Sequence, residues 1–168
     1  LNRPYWAVFL FRNMKYRQLT KEQFEALHEE FSKFLATQQI DSKEWEEMKT
    51  DKPTMAEEEL NIFSDVVWED VLNKIEFIDH ISEKHINLFK CHSKEIIRIY
   101  IKLNDEHRSF LKSEDFKWFL ENPLNKSFEY FKASKKYNED RNLELFKMIE
   151  MGCDISKGEL FKKFLLII

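Results

Sequence analysis

The sequence predicts an α+β fold that is predominantly helical, with six or seven helices packed with one antiparallel β-hairpin. Three observations predict it. Glycine occurs twice and proline three times in 168 residues, too few for the frequent tight turns of an all-β barrel. Apolar residues recur at helical steps of three and four behind repeated capping pairs. One segment, residues 96–103, changes to strict alternation.

The elements follow in order. Thr20 and Gln23 have the spacing of a capping box, and Phe24, Leu27, Phe31 and Phe34 then draw one apolar stripe, so a helix is expected from Thr20 to about Thr37. Asp41 or Ser42 caps a short second helix with Trp45 and Met48 on its apolar edge. Pro53 opens the third, with Thr54 and Glu57 as a second capping pair. Its stripe is Leu60, Phe63, Val67, Val71, Ile75 and Ile78, with Trp68 just off it, and the helix is expected to reach Asp79 or His80. Phe63, Val67 and Val71 should be nearly fully buried.

Ile97, Ile99, Ile101 and Leu103 then alternate with Arg98, Tyr100 and Lys102, which makes a strand with one buried and one wet face. Residues 87–91 are a weaker strand, joined to it through 92–95. Two strands leave two open edges, to be covered by helices, by the N-terminal segment or by a second copy. Helical spacing returns at Ser113 (Phe116, Phe119, Leu120), in a segment with Phe128 and Phe131, and in one with Tyr137, Leu143, Phe146 and Ile149 that Gly152 ends. Ser156 and Glu159 form a third capping pair before Phe161, Phe164 and Leu165. No repeat or linker divides the chain, so residues 14–168 are expected to form a single globular domain.

Charge and composition exclude several classes. Two glycines cannot build a phosphate loop or a dinucleotide-binding turn. The net charge of −4 argues against a protein dedicated to nucleic acid, whose footprint is basic. Residues 20–61 hold five bases and twelve acids, whereas residues 86–103 hold four bases and one acid. Cys91 and Cys153 do not make a disulfide framework, and reduced thiols imply a cytoplasmic location. The apolar run 5–11 is far shorter than the ~20 residues a membrane span needs. Residues 1–13 read as an extension ahead of a natural start at Met14.

Two runs carry a resemblance. Lys15-Tyr16-Arg17-Gln18-Leu19-Thr20-Lys21-Glu22-Gln23-Phe24 and Phe63-Ser64-Asp65-Val66-Val67-Trp68-Glu69-Asp70-Val71-Leu72 resemble an uncharacterised domain-of-unknown-function family of small flavobacterial (Bacteroidetes) proteins. The resemblance covers the chain from Met14 onward. It implies a cytoplasmic bacterial protein and assigns no catalytic residue.

His80, His85, Cys91 and His92 are the one cluster of soft metal ligands, but their spacing matches no standard zinc site, and Cys91 and His92 would point to opposite faces of a strand. Glu25 and His28 have di-iron half-site spacing without a second copy. Asp65, Glu69 and Glu76 lie on the long helix and read as a solvated face. No nucleophile elbow accompanies either cysteine. Arg98, Tyr100 and Lys102 share the wet face of one strand, where bases flanking a ring can hold a single-stranded nucleic acid. The balance favours a non-catalytic interaction module without cofactor, acting on a protein partner or on itself. The alternatives are a metal-dependent enzyme using residues 80–92 and a nucleic-acid binder using the strand face.

Overall fold

A computed structural model of the protein describes residues 14–168. The expectations for residues 1–13 fall outside the described residues. The chain divides into two compact units at Val71–Leu72, within a long helix.

In the first unit, α1 (Lys21–Ala26), α2 (His28–Thr37) and α3 (Ser42–Asp51) precede α4 (Pro53–Lys74). The expected first helix is two, broken at Leu27, whose φ of −109° leaves the helical region. Thr20 does form the capping box with Gln23, and Asp41 forms one with Glu44. Phe63 is the centre of an aromatic cluster, with Phe24, Phe31 and Phe34 at 6.0, 5.0 and 5.4 Å and Trp45 against Phe31 at 5.3 Å. Val67 and Val71 are only half-buried, while Ser64, Trp68 and Leu72 are buried. The buried stripe is thus rotated by about one residue from the expected one. The reason lies in the segment 15–19, which runs along α4. Asp65 accepts the amide hydrogens of Lys15 and Tyr16, and the Ser64 hydroxyl accepts that of Leu19.

In the second unit, β1 (Phe77–Ile81), β2 (His85–Cys91), β3 (Glu95–Leu103), β4 (Phe128–Lys136) and β5 (Asp154–Ser156) form one antiparallel sheet in the order β4-β3-β2-β1-β5. Helices α5 (Ser113–Glu121), α6 (Arg141–Glu150) and α7 (Glu159–Leu165) complete it. The fold is α+β, but a five-stranded sheet replaces the single expected hairpin, and the helices take up just under half of the described residues. The β2–β3 hairpin exists, and its edges are covered by β1 and β4. The odd positions of β3 are the core positions: Ile99, Ile101 and Leu103 pack with Ile86, Leu88, Phe110, Phe119, Phe161 and Phe164.

Two strands were hidden in helical spacing. Phe77 and Ile78 of β1 are both buried although they face opposite sides of the sheet, so alternation is lost and Ile75 and Ile78 mimic a helix tail. On β4 only Phe128 is buried, and Phe128 and Phe131 fall three apart as on a helix edge. Neither Thr54 nor Ser156 completes a capping box. Pro53 and Thr54 already lie inside α4, and α7 starts at Glu159 behind Gly158. Gly152 does end α6, with φ +97° and its amide on the Ile149 carbonyl at 2.9 Å.

Candidate binding face of the sheet

Even positions of β3 point away from the Phe-rich core. The antiparallel register then decides their neighbours. Asn87, Tyr100 and Phe131 lie side by side across β2, β3 and β4. Phe89, Arg98 and Ala133 form the row below, and His85, Lys102 and Glu129 the row above.

These side chains touch. The Tyr100 ring and the His85 ring are 5.5 Å apart and 18° from parallel, and the Tyr100 hydroxyl and His85 Nδ1 share a 2.7 Å hydrogen bond. Diagonal neighbours on an antiparallel pair are within reach of long and aromatic groups, which is how residues 85 and 100 meet. The Arg98 guanidinium lies 4.9 Å from the Tyr100 ring and donates from Nε to Asn87 Oδ1 at 2.9 Å. Phe131 stands 5.8 Å from Tyr100 and is 53% exposed. A ring of that size left open on an edge strand is apolar surface available for stacking. The Glu129 carboxylate at the rim is taken up by the Asn104 amide. The arrangement offers flat π-surface beside the held Arg98 guanidinium, with Lys102 in the adjacent row.

Of the expected site residues, Arg98, Tyr100 and Lys102 lie together on this face as the alternation required. His85, read as a metal ligand, joins them instead. His80 also falls on this face, beside Asn87 in the row that runs to Tyr100 and Phe131, whereas Cys91 is buried opposite Ile96 with its thiol pushed up to about 12 by burial. The His92 carbonyl accepts from Tyr137 and Arg141. Among the described residues, no group of three or more His, Cys, Asp or Glu could hold a metal ion. Phe131 was missed because β4 was read as a helix. His85 could have been found from the hairpin itself: a loop over 92–95 pairs Cys91 with Ile96, and counting back pairs His85 with Lys102.

Other polar groups have structural partners. Glu25 and His28 sit on different helices, with His28 Nδ1 against the Glu25 carbonyl at 3.2 Å. Asp65 and Glu69, read as a solvated face, are anchors. Glu69 accepts from the Tyr16 hydroxyl at 2.5 Å and from Lys15 Nζ at 3.1 Å. Asp79, on the core side of β1, has its carboxyl raised above the usual range by burial. The Ser156 hydrogen bond opposes that rise, and the charges of Glu159 and Asp154 add to it.

The two runs that carried the resemblance, 15–24 and 63–72, therefore meet in space through Asp65, Ser64 and Glu69. The chain belongs to a family of unknown function (DUF6495), whose model matches residues 14–168. No curated protein and no solved structure matches the chain. No helix among the described residues is long and apolar enough to cross a membrane.

Proposed function

We propose that the protein is a non-catalytic binding module whose working surface is the open face of β2, β3 and β4. The observation that carries this reading is the cluster of His85, Tyr100, Arg98 and Phe131, with rings 5.5 and 5.8 Å apart and Phe131 half exposed. Ring stacking, the Arg98–Tyr100 contact and the Arg98–Asn87 hydrogen bond fix these side chains in place before any partner arrives. A preordered surface loses less rotamer entropy on association. The free thiols Cys91 and Cys153 support placing the module in a reducing cytoplasm.

The test is site-specific photo-crosslinking in the native host. A photoreactive phenylalanine analogue replaces Ala133, exposed on β4 opposite Arg98, or as a control Leu124, exposed outside the sheet. The expected result is a defined adduct from position 133, absent from position 124 and lost when Arg98→Glu is added. No adduct at position 133, or equal adducts at both positions, would overturn the reading.

A further inference from the structure

We infer that this face binds single-stranded nucleic acid, which deepens and rests on the reading of the face as the binding surface. Three observations select that occupant.

The first is charge. On this face of β2, β3 and β4 stand three bases, Arg98, Lys102 and Lys135, and one acid, Glu129, with Lys135 paired to Glu144 of α6. The negative net charge of the chain resides elsewhere in the sequence: the first unit has nine bases and fifteen acids, the second eighteen and sixteen. The overall −4, which argues against nucleic acid, therefore does not describe the surface in question.

The second is the mixture of groups. A protein interface is enriched in aromatic rings and arginine and depleted in lysine. Here a lysine, Lys102, stands on the same face two residues from Tyr100, with Arg98 two residues from it on the other side. An acidic peptide would satisfy the bases and leave Phe131 uncovered. A nucleotide strand supplies both complements at once, phosphates for Arg98 and Lys102 and a base for the Phe131 ring.

The third is openness along one direction. β4 is an edge strand, exposed from Glu129 to Lys136 except at half-buried Tyr130, and Phe131 and Ala133 lie open along it on the same face as Tyr100 and Arg98. A strand crossing from β3 over Phe131 leaves the sheet over an edge that no further strand covers. Stacking on a ring accepts any base, so binding is expected to depend on single-strandedness and salt more than on sequence.

The experiment titrates the full chain into fluorescein-labelled oligo-dT and oligo-U of about twelve nucleotides, within the ~4–16 nucleotide range of such sites, and into a duplex control, by anisotropy. Binding to both single strands, weaker by tenfold or more to the duplex, is expected. Phe131→Ala should weaken it at least tenfold with an unchanged melting temperature, and Phe131→Tyr should restore it. Arg98→Ser with Lys102→Ser should reduce the slope of log K against log salt by about 1.4, at about 0.7 per lost phosphate contact. Absence of binding at about 50 mM salt, or binding indifferent to all these variants, overturns the inference. The crosslinked adduct at position 133 separates the two readings. A nuclease-sensitive adduct supports the nucleic-acid inference. An adduct that resists nuclease and yields to protease overturns that inference while keeping the binding face, and no adduct removes both.

Discussion

Gly158 and Gly152 both hold positive φ, +76° and +97°, yet the two positions make different demands. At Gly152, a Cβ would meet nothing within 4 Å, so only the left-handed backbone resists a side chain. At Gly158, a Cβ would lie 2.5 Å from the Phe77 ring, which is buried against Phe161 and roofed by the Lys162 ammonium at 4.9 Å. The ring cannot retreat without disturbing the core. Gly152→Ala is therefore expected to cost about 1 kcal/mol from backbone strain alone. Gly158→Ala should cost about 2–4 kcal/mol, strain plus overpacking. Urea denaturation of the two variants checks this. Equal losses would mean that Phe77 yields freely and that the close approach has no energetic role.

Among the elements, α6 is tied to its neighbours by Asn142, Glu144 and buried Leu145, and most extensively by Arg141. Arg141 donates to the carbonyls of Leu72 and Ile75 at the end of α4, and to those of Cys91 and His92 where β2 ends, at 2.6 to 3.2 Å. Helix ends leave carbonyls without intrahelical partners, and a guanidinium with five donors in a fixed fork can serve several of them. Arg141→Met keeps the stem but strands these groups, and a loss of about 3 kcal/mol is expected. Arg141→Lys should recover only part of it, since an ammonium cannot span both sites. Hydrogen exchange at the Cys91 amide, bonded to the Glu76 carbonyl at 2.8 Å, should accelerate in Arg141→Met; unchanged protection there would contradict the role. This same region explains what the sequence did and did not disclose. β3 was legible because it has one core face and one wet face, so burial and alternation coincide. β1 was not, because both of its faces are covered at Phe77 and Ile78. β4 was not, because as an exposed edge it needs almost no apolar residues. The proposed binding face was accordingly half legible. Arg98, Tyr100 and Lys102 come from the readable strand, whereas Phe131 and His85 enter through cross-strand pairing, which local spacing does not encode.

At the scale of the whole molecule, five groups tie stability to alkaline pH with one sign, among them Cys153, whose thiol is raised by burial and by the Asp154 charge. The Cys91 thiol is pushed up to about 12 from its ordinary 9.0, chiefly by burial and against the pull of the Arg141 charge. The Tyr130 and Tyr137 hydroxyls are pushed to about 12 from 10.0 by burial, and in Tyr137 the Cys91 charge adds to it. Tyr16, in the first unit, is raised to about 12 by burial and by its hydrogen bond to Glu69. In each case the folded protein holds its proton to a higher pH than the unfolded chain does. Between the two values, unfolding releases protons, so a rise in pH favours the unfolded state. Stability is unaffected by these groups below pH 9 and falls as pH rises from there toward 12. Because Cys91 belongs to the second unit and Tyr16 to the first, the onsets should differ: near pH 9 for the second unit and near pH 10 for the first. Trp118 reports the second unit and Trp45 and Trp68 the first, so single-tryptophan variants can follow each by fluorescence in guanidinium titrations. Replacing Cys91 with Ala lowers absolute stability by the lost packing, but its informative effect is on the pH profile. The fall of the Trp118 profile just above pH 9 should become shallower, the remainder being carried by Cys153, whose thiol burial also raises, and the Trp45 and Trp68 profile should not change. A Trp118 profile that stays flat from pH 8 to 12, or whose fall ignores Cys91, would show that these groups are not held in the dry surroundings from which the argument proceeds.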